Sequence, residues 1–513
     1  MGGDPRQTPA ARTEKSERGN TTMQTPNSSA PKQPRMPKLW QALVSLLILV
    51  GSLVLGIMIL PEEGGDTFIH IPMIIGTVAA AIVAIYLGYS WQQLEKAMID
   101  GISRAMQSLL ILIVIGILIG VWINAGVVPS MIYYGLQIIK PQIFLLATVL
   151  ICSITSVATG TSWGTMGTMG IALLGIGTGL GINPGITTGA IISGAYFGDK
   201  MSPLSDMTNL GPAMAGTDVM TNIKFMLKPT AIVYAITLIF FALLPFVLTT
   251  NASGATGSMS QIQEISDGIA SEFTVSPVLL LPLVIVIVAV AMKVPALPGI
   301  LLGIVSGAAL GFLFQGESYT MRSIFACGMD GFESNIGIEA VDKLLSKGGL
   351  NSMMYSVSMT ILAMAYCGIM EESHQMEVIV QTLKPLARTK TSLVALTEAT
   401  SIASNAIMPE QYLSVVLPGR MYAEEYKKMG MHPVALSNAL LSSGAVTSAL
   451  IPWNTCGVYI YATLGVGVAQ YLPYAIFNWL MPIAAVAMAA IGMTTCDKNG
   501  VPLMKAKRMA KAK

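Results

Sequence analysis

"KPQIFLLATVLICSITSVATG", residues 140–160, opens on a lysine–proline pair and then runs without charge to a glycine. Its apolar body is close to the length that crosses a hydrocarbon layer of roughly 30 Å. Comparable runs recur along the chain, whose 513 residues are 53% hydrophobic and only 11% charged. A soluble domain carries about a quarter of its residues as charges. Length alone would suggest several soluble domains, but composition overrides that reading. The fold class is therefore an all-α polytopic membrane protein. Spans are predicted at 39–60, 68–89, 105–125, 143–157, 163–182, 229–250, 276–292, 294–314, 353–370, 391–408, 433–450 and 471–492. The apolar pieces 127–139 and 185–197 are too short to cross cleanly and read as half-helices or re-entrant segments.

The opening stretch has a second copy. "KPLARTKTSLVALTEATSIASN" (384–405) aligns with it, "TSVAT" (155–159) lying on "TSIAS" (400–404). Downstream, "SGAYFGDKMSPLSD" (193–206) aligns with "SGAVTSALIPWNT" (443–455) with one gap. Order and spacing agree, so the chain divides into repeat 1 over 105–243 and repeat 2 over 350–492. N-terminal spans at 39–104 precede them, and linking spans with an extracellular segment fill 244–349. A basic, Pro/Ser/Thr-rich disordered tail over 1–38 and a basic tail over 493–513 flank the whole.

Lysine and arginine in both tails place both termini in the cytoplasm, while the Lys/Arg-free loops 61–66 and 251–272 lie outside. An odd number of crossings between the repeat starts makes the repeats inverted in topology. Inverted repeats with broken helices and re-entrant hairpins are a transporter pattern, with the site where the repeats meet. The five cysteines are scattered through mostly apolar sequence and read as small buried hydrophobes.

Chemistry concentrates in the repeated segments. "TSVATGTSWGTMGTMG" (155–170) offers Thr155, Ser156, Thr159, Thr161 and Ser162 beside glycines that let the backbone leave helical geometry. Its counterpart "TEATSIASNAIMPE" (397–410) supplies Glu398, Ser401, Ser404 and Asn405. Charges at bilayer depth are functional candidates by default, which singles out Asp199, Asp206 and Glu398. Thr208, Asn209 and Asn454 are neutral candidates beside them. Two bland readings stand alongside: hydroxyls that only pack helices, and an Asp199–Lys200 loop that merely reaches water. Glu371, Glu372 and His374 read as interfacial, and Arg420, Glu424, Glu425, Lys427 and Lys428 as a surface loop. "GTSWG" (160–164) lacks the strand–turn–helix context of a hydrolase nucleophile. "GIGTGLG" (175–181) lacks that of a dinucleotide fingerprint. An enzyme is therefore not expected.

At "SGAYFGDKMSPLSDMTNL" (193–210), with "TGTSWGTMG" upstream, the sequence resembles the NhaC family of sodium/proton antiporters, within the ion-transporter superfamily. The likeness extends over about 39–492. It implies inverted repeats with re-entrant hairpins and broken helices, secondary active exchange of Na+ for H+ across the cell membrane, and ion handling at Asp199, Asp206 and the "TGTSWGT" hydroxyls. Na+ is expected at Asp206, Asp199, Thr159 and Ser404. Relatives that exchange malate or lactate leave an organic-acid or amino-acid exchanger open. The expected partners are the lipid bilayer, Na+ and H+, with a homodimer by family analogy. No nucleic acid and no cofactor are expected. In repeat 2, Asp206 has the neutral counterpart Thr455, which points to one strong cation site rather than two equal ones.

Overall fold

The computed structural model describes residues 34–59, 70–138, 140–251, 259–292, 294–317, 319–338, 341–342 and 345–505. Most of the expected N-terminal tail (1–33), the last part of the C-terminal tail (506–513), the loop 61–66 and the stretch 252–258 lie outside the described residues. Within them the chain is helical, with one isolated antiparallel bridge between Cys496 and Pro502.

Six of the described helices are long and apolar enough to span a membrane, or nine when each of three bent pairs is taken as one span. The bends are 93° between Gln263–Glu272 and Pro277–Ala289, 47° between Pro433–Leu450 and Thr455–Leu464, and 55° between Val468–Tyr474 and Ile476–Ala490. The chain is a multi-pass membrane protein. Large apolar side chains on its outer faces, such as Ile82, Ile239 and Val305, lie exposed where lipid would cover them.

The spans read from hydropathy need amendment in places. The 163–182 span is helical but interrupted by a π-helical turn at Met166–Gly170, a widening that recurs at functional sites. The piece 185–197, expected as a half-helix, belongs to an 18-residue helix, Pro184–Met201. Asn183 caps its start, Pro184 occupies the first turn, and it packs extensively on Pro141–Thr159. Small residues permit that approach: a methyl group on Gly198 would meet the backbone of Ser153 at 2.7 Å. The stretch expected as a charged surface loop ends a further helix, Gln411–Lys428. Its Tyr422 and Tyr426 are buried while Arg420, Glu424, Lys427 and Lys428 face out, an amphipathic pattern that spacing conceals in so short a run.

Two stretches of the chain pass through the same series of elements. In the first, Met106–Asn124, Val127–Ile138, Pro141–Thr159, the kinked 162–179 helix, Pro184–Met201, Asp206–Ala215 and Val219–Asn251 follow one another. In the second the order is Leu350–Glu372, Gln375–Leu383, Lys390–Ile407, Gln411–Lys428, Pro433–Thr447, Thr455–Leu464 and Ile476–Ala490, the last preceded by an extra short helix, Val468–Tyr471. The stretches touch directly. Trp163 stacks on Tyr459 with centroids 4.1 Å apart, and Tyr459 donates its hydroxyl to the Trp163 carbonyl at 2.6 Å. The amphipathic helix Trp91–Arg104, held at its start by a Ser90–Gln93 capping box, packs along Leu350–Glu372 and ends with Arg104.

Candidate functional site

Four helices begin around one cavity. Thr161 caps the helix starting at Ser162, Ser205 caps Asp206–Ala215, Glu410 caps Gln411–Lys428 and Asn454 caps Thr455–Leu464. Each side chain accepts a hydrogen bond from a backbone N–H that the first helical turn leaves free. Thr161, Asp206, Glu410 and Thr455 all line a cavity of about 730 Å³. Breaking a helix at these points aims four positive dipole ends into the same space.

One glycine makes the crossing of two breaks possible. Gly160 ends Pro141–Thr159 in the left-handed conformation, with φ of 71°. A Cβ there would lie 2.7 Å from the carbonyl carbon of Leu204, in the other break. Only glycine meets both demands.

Three carboxylates face the cavity. Asp199, 7% exposed, accepts at Oδ2 from Ser162 Oγ (2.8 Å) and at Oδ1 from Ser205 Oγ (2.5 Å). Its own turn is tied down by Thr208, whose hydroxyl donates to the carbonyls of Asp199 (2.8 Å) and Lys200 (3.0 Å). Asp206 opens its helix and is exposed, with the Tyr412 hydroxyl donating to it at 3.4 Å. Glu410, 9% exposed, accepts from the Leu413 amide at 3.1 Å. Tyr412 lies within electrostatic reach of all three. Among the described residues no three acidic, histidine or cysteine side chains converge on one point as a metal-ligand set, so the carboxylates ring the space. Arg104 lines the same cavity, senses Glu410 and pairs with Glu371 at 2.7 Å.

The sequence-predicted residues divide accordingly. Thr159, Thr161, Ser162, Asp199 and Asp206 meet at the cavity, with Thr159 Oγ1 unpartnered among the described residues. Ser156 instead bonds the Ala195 carbonyl at 2.6 Å and holds two helices together, with Thr155 buried nearby on the same helix. Asn209 folds back onto the carbonyls of Pro203 and Ser205. Asn405 and Asn454 clasp each other at 3.2 Å, and Asn405 also bonds the Gly444 carbonyl at 2.7 Å. Glu398, Ser401 and Ser404 are buried but do not line the cavity. The expected Na+ group of Asp206, Asp199, Thr159 and Ser404 is thus gathered at three positions and not at Ser404.

Glu410 and Arg104 were missed by sequence reasoning. Glu410 ends the quoted "TEATSIASNAIMPE", and its placement before an apolar run was an available helix-start signal. Arg104 carries no such signal, because its approach depends on how Trp91–Arg104 packs.

A profile of the Na+/H+ antiporter family matches residues 40–195 and 194–493. The chain is 37% identical to the Na(+)/H(+) antiporter NhaC of Alkalihalophilus pseudofirmus, with 83% of this chain and 90% of the relative aligned. It is 36% identical to the malate-2H(+)/Na(+)-lactate antiporter of Bacillus subtilis, over 88% and 94% of the two chains. With the arginine/ornithine antiporter ArcD of Halobacterium salinarum it shares 33% identity, over 89% and 93%. Likeness of this extent, running through every element that builds the cavity, makes the chain a member of the NhaC-type Na+/H+ antiporter family.

Proposed function

We propose that the protein is a secondary active transporter that exchanges Na+ for H+ through the cavity ringed by Asp199, Asp206 and Glu410. The observation that carries this reading is that those carboxylates line one cavity with the Thr159, Thr161 and Ser162 hydroxyls, where four helices begin. Coupling then needs only competition, since one carboxylate cannot hold a proton and Na+ together. Hydroxyls and freed carbonyls at the breaks complete the shell of a small hard cation, and the chemistry needs no resident cofactor.

The same reading sets the protein in the cell membrane with both termini in the cytoplasm, as the basic tails favour. The stretches 105–243 and 350–492 act as inverted repeats, supported by their matching element order. Two copies pair as a homodimer, by analogy with the family. The test is Na+-driven proton movement in vesicles holding purified protein. Asp206→Asn is expected to abolish it while membrane insertion stays intact, and full exchange by that variant would remove Asp206 from the site.

A second reading has its own support. Arg104 brings a cation to a cavity of about 730 Å³, inside the roughly 300–1,000 Å³ range of small-molecule pockets. A small organic acid or amino acid exchanged along with the ions would place its carboxylate at Arg104, in keeping with the relatives named for malate, lactate, arginine and ornithine. Uptake of labelled organic and amino acids, with and without a Na+ gradient, separates the two readings.

A further inference from the structure

Away from the cavity, two packed helices carry a concentration of buried polar atoms with no hydrogen-bond partner among the described residues. On Lys390–Ile407 these are both carboxyl oxygens of Glu398 and the hydroxyls of Ser401 and Ser404. On Pro433–Thr447 they are the Ser437 hydroxyl and the Asn438 Nδ2. Buried polar atoms are nearly always paired, so each orphan asks for an explanation. Glu398 is 1% exposed and Lys200 3%. Lys200 reaches in from the end of Pro184–Met201 and donates from Nζ to Ser442 Oγ at 3.1 Å. The two ionisable groups interact electrostatically, yet the described ion pairs do not include them. Neither lines the cavity. Lys200 follows Asp199 directly, and successive helical residues point about 100° apart. One therefore faces the cavity while the other faces this cluster.

The groups around Glu398 are few. Pro433–Thr447 and Ile476–Ala490, both packed against its helix, contain no Asp, Glu, Lys, Arg or His. Gln411–Lys428 presents Tyr422 and Tyr426, bonded to Thr400 and Thr397 on the Glu398 helix. Gln375–Leu383 carries Glu377, which is held by His374 and Gln381, and Lys384 follows it in the turn before the Glu398 helix. Pro184–Met201 brings Lys200. An isolated buried carboxylate without a hydrogen bond is so unfavourable that such a group is found protonated or paired. The geometry here, with Lys200 turned to Ser442 and Glu398 unpaired, is the arrangement that a protonated Glu398 would favour. The paired arrangement brings the Lys200 ammonium from Ser442, on a helix packed against that of Glu398, to the Glu398 carboxylate.

We propose that Glu398 and Lys200 form a second, enclosed proton-binding site, so that each transport cycle carries one proton more than the cavity carboxylates move. In the loaded form Glu398 is a neutral acid and Lys200 an ammonium ion on Ser442. On unloading, the Glu398 O–H bond breaks, the proton leaves to water, and the carboxylate takes the Lys200 ammonium as counter-ion. Loading is the reverse. The pair titrates as a unit holding one or two protons. Lys200 and Asp199 are neighbours on one helix end, and Thr208 bonds the carbonyls of both, so the two sites share one backbone support.

This inference rests on Na+/H+ exchange at the cavity, and the experiment keeps the two apart. Proton and Na+ fluxes are measured in proteoliposomes, and the membrane voltage of zero net flux is found at fixed gradients. Glu398→Gln should continue to exchange with one fewer proton per cycle, shifting that voltage. Lys200→Met, which leaves the carboxylate without a counter-ion, should show the same reduced ratio, and Lys200→Arg should restore the wild-type one. Should Glu398→Gln fail to fold, the Lys200→Met and Lys200→Arg pair decides by the same criterion. Wild-type ratios in both Glu398→Gln and Lys200→Met overturn the proposal. So does a Glu398→Gln protein that is folded but inert while Lys200→Met still exchanges at the wild-type ratio. A wild-type protein that moves no protons with Na+ overturns the exchange reading itself.

Discussion

The two interrupted helices, one in each half of the chain, share a frame and differ in charge. In the first half Asn183 and Pro184 start a helix, a break follows, and Ser205 caps Asp206–Ala215, which closes on left-handed Gly216. In the second half His432 and Pro433 start the helix, Asn454 caps Thr455–Leu464, and left-handed Gly465 closes it. Where the first break holds Asp199, Lys200 and Asp206, the aligned second break holds Ala449, Leu450 and Thr455. The second break forms around its capping residue without those charges, so the charges serve another purpose. The second half is not without a carboxylate at the cavity, however. It places Glu410 at the helix start where the first half has Thr161. Each half thus contributes acid to the ring, from different corners of the same frame.

The comparison breaks most sharply at the buried aspartate. Asp199→Asn is expected to reduce Na+-driven proton movement to background, whereas Thr455→Ala at the neutral break should stay within about twofold of wild type, since a free-energy change below ~0.4 kcal/mol is that small. If Thr455→Ala is as damaging as Asp199→Asn, the asymmetry between the breaks is illusory. Next in size is the acid unique to the second half. Glu410→Gln should raise the half-saturating Na+ concentration about tenfold, equivalent to ~1.4 kcal/mol, and an unchanged Na+ response would confine Glu410 to capping its helix.

The two caps sharpen the comparison further. Ser205→Ala and Asn454→Ala should each lower thermal stability by an amount near that of a lost helix cap, about 1 kcal/mol. Only Ser205→Ala should also weaken exchange, because Ser205 holds the Asp199 carboxylate. Equal transport defects would show that both breaks matter for geometry alone. The smallest effect is reserved for Tyr412→Phe. Its bond to Asp206 is long at 3.4 Å, and the rate should change by less than about twofold, since hydrogen bonds weaken with length.

Much of this was legible without coordinates, for physical reasons. Apolar runs in a weakly charged chain admit few folds but membrane helices, and Asp199 and Asp206 stood out because charge is costly there. What stayed hidden depended on contacts distant in sequence. Ser156 and Asn405 look like ion ligands in a hydroxyl-rich motif, yet their partners are carbonyls of neighbouring helices. Glu410 was overlooked because the helix-start signal before its apolar run says nothing of which space that helix end faces.

The sequence by itself determined that this protein lives in a membrane, that its helices are broken where glycine, proline and capping residues cluster, and that acidic groups sit at one such break. Hydropathy and local capping are short-range properties, readable along a single strand of text. Only the tertiary structure decided which acids share a space. Asp199, Asp206, Glu410 and Arg104 line one cavity, while Glu398 and Lys200, equally conspicuous in the sequence, are buried outside it. That partition is set by how helix ends cross and which way each side chain turns about its axis. Both depend on packing between residues hundreds of positions apart.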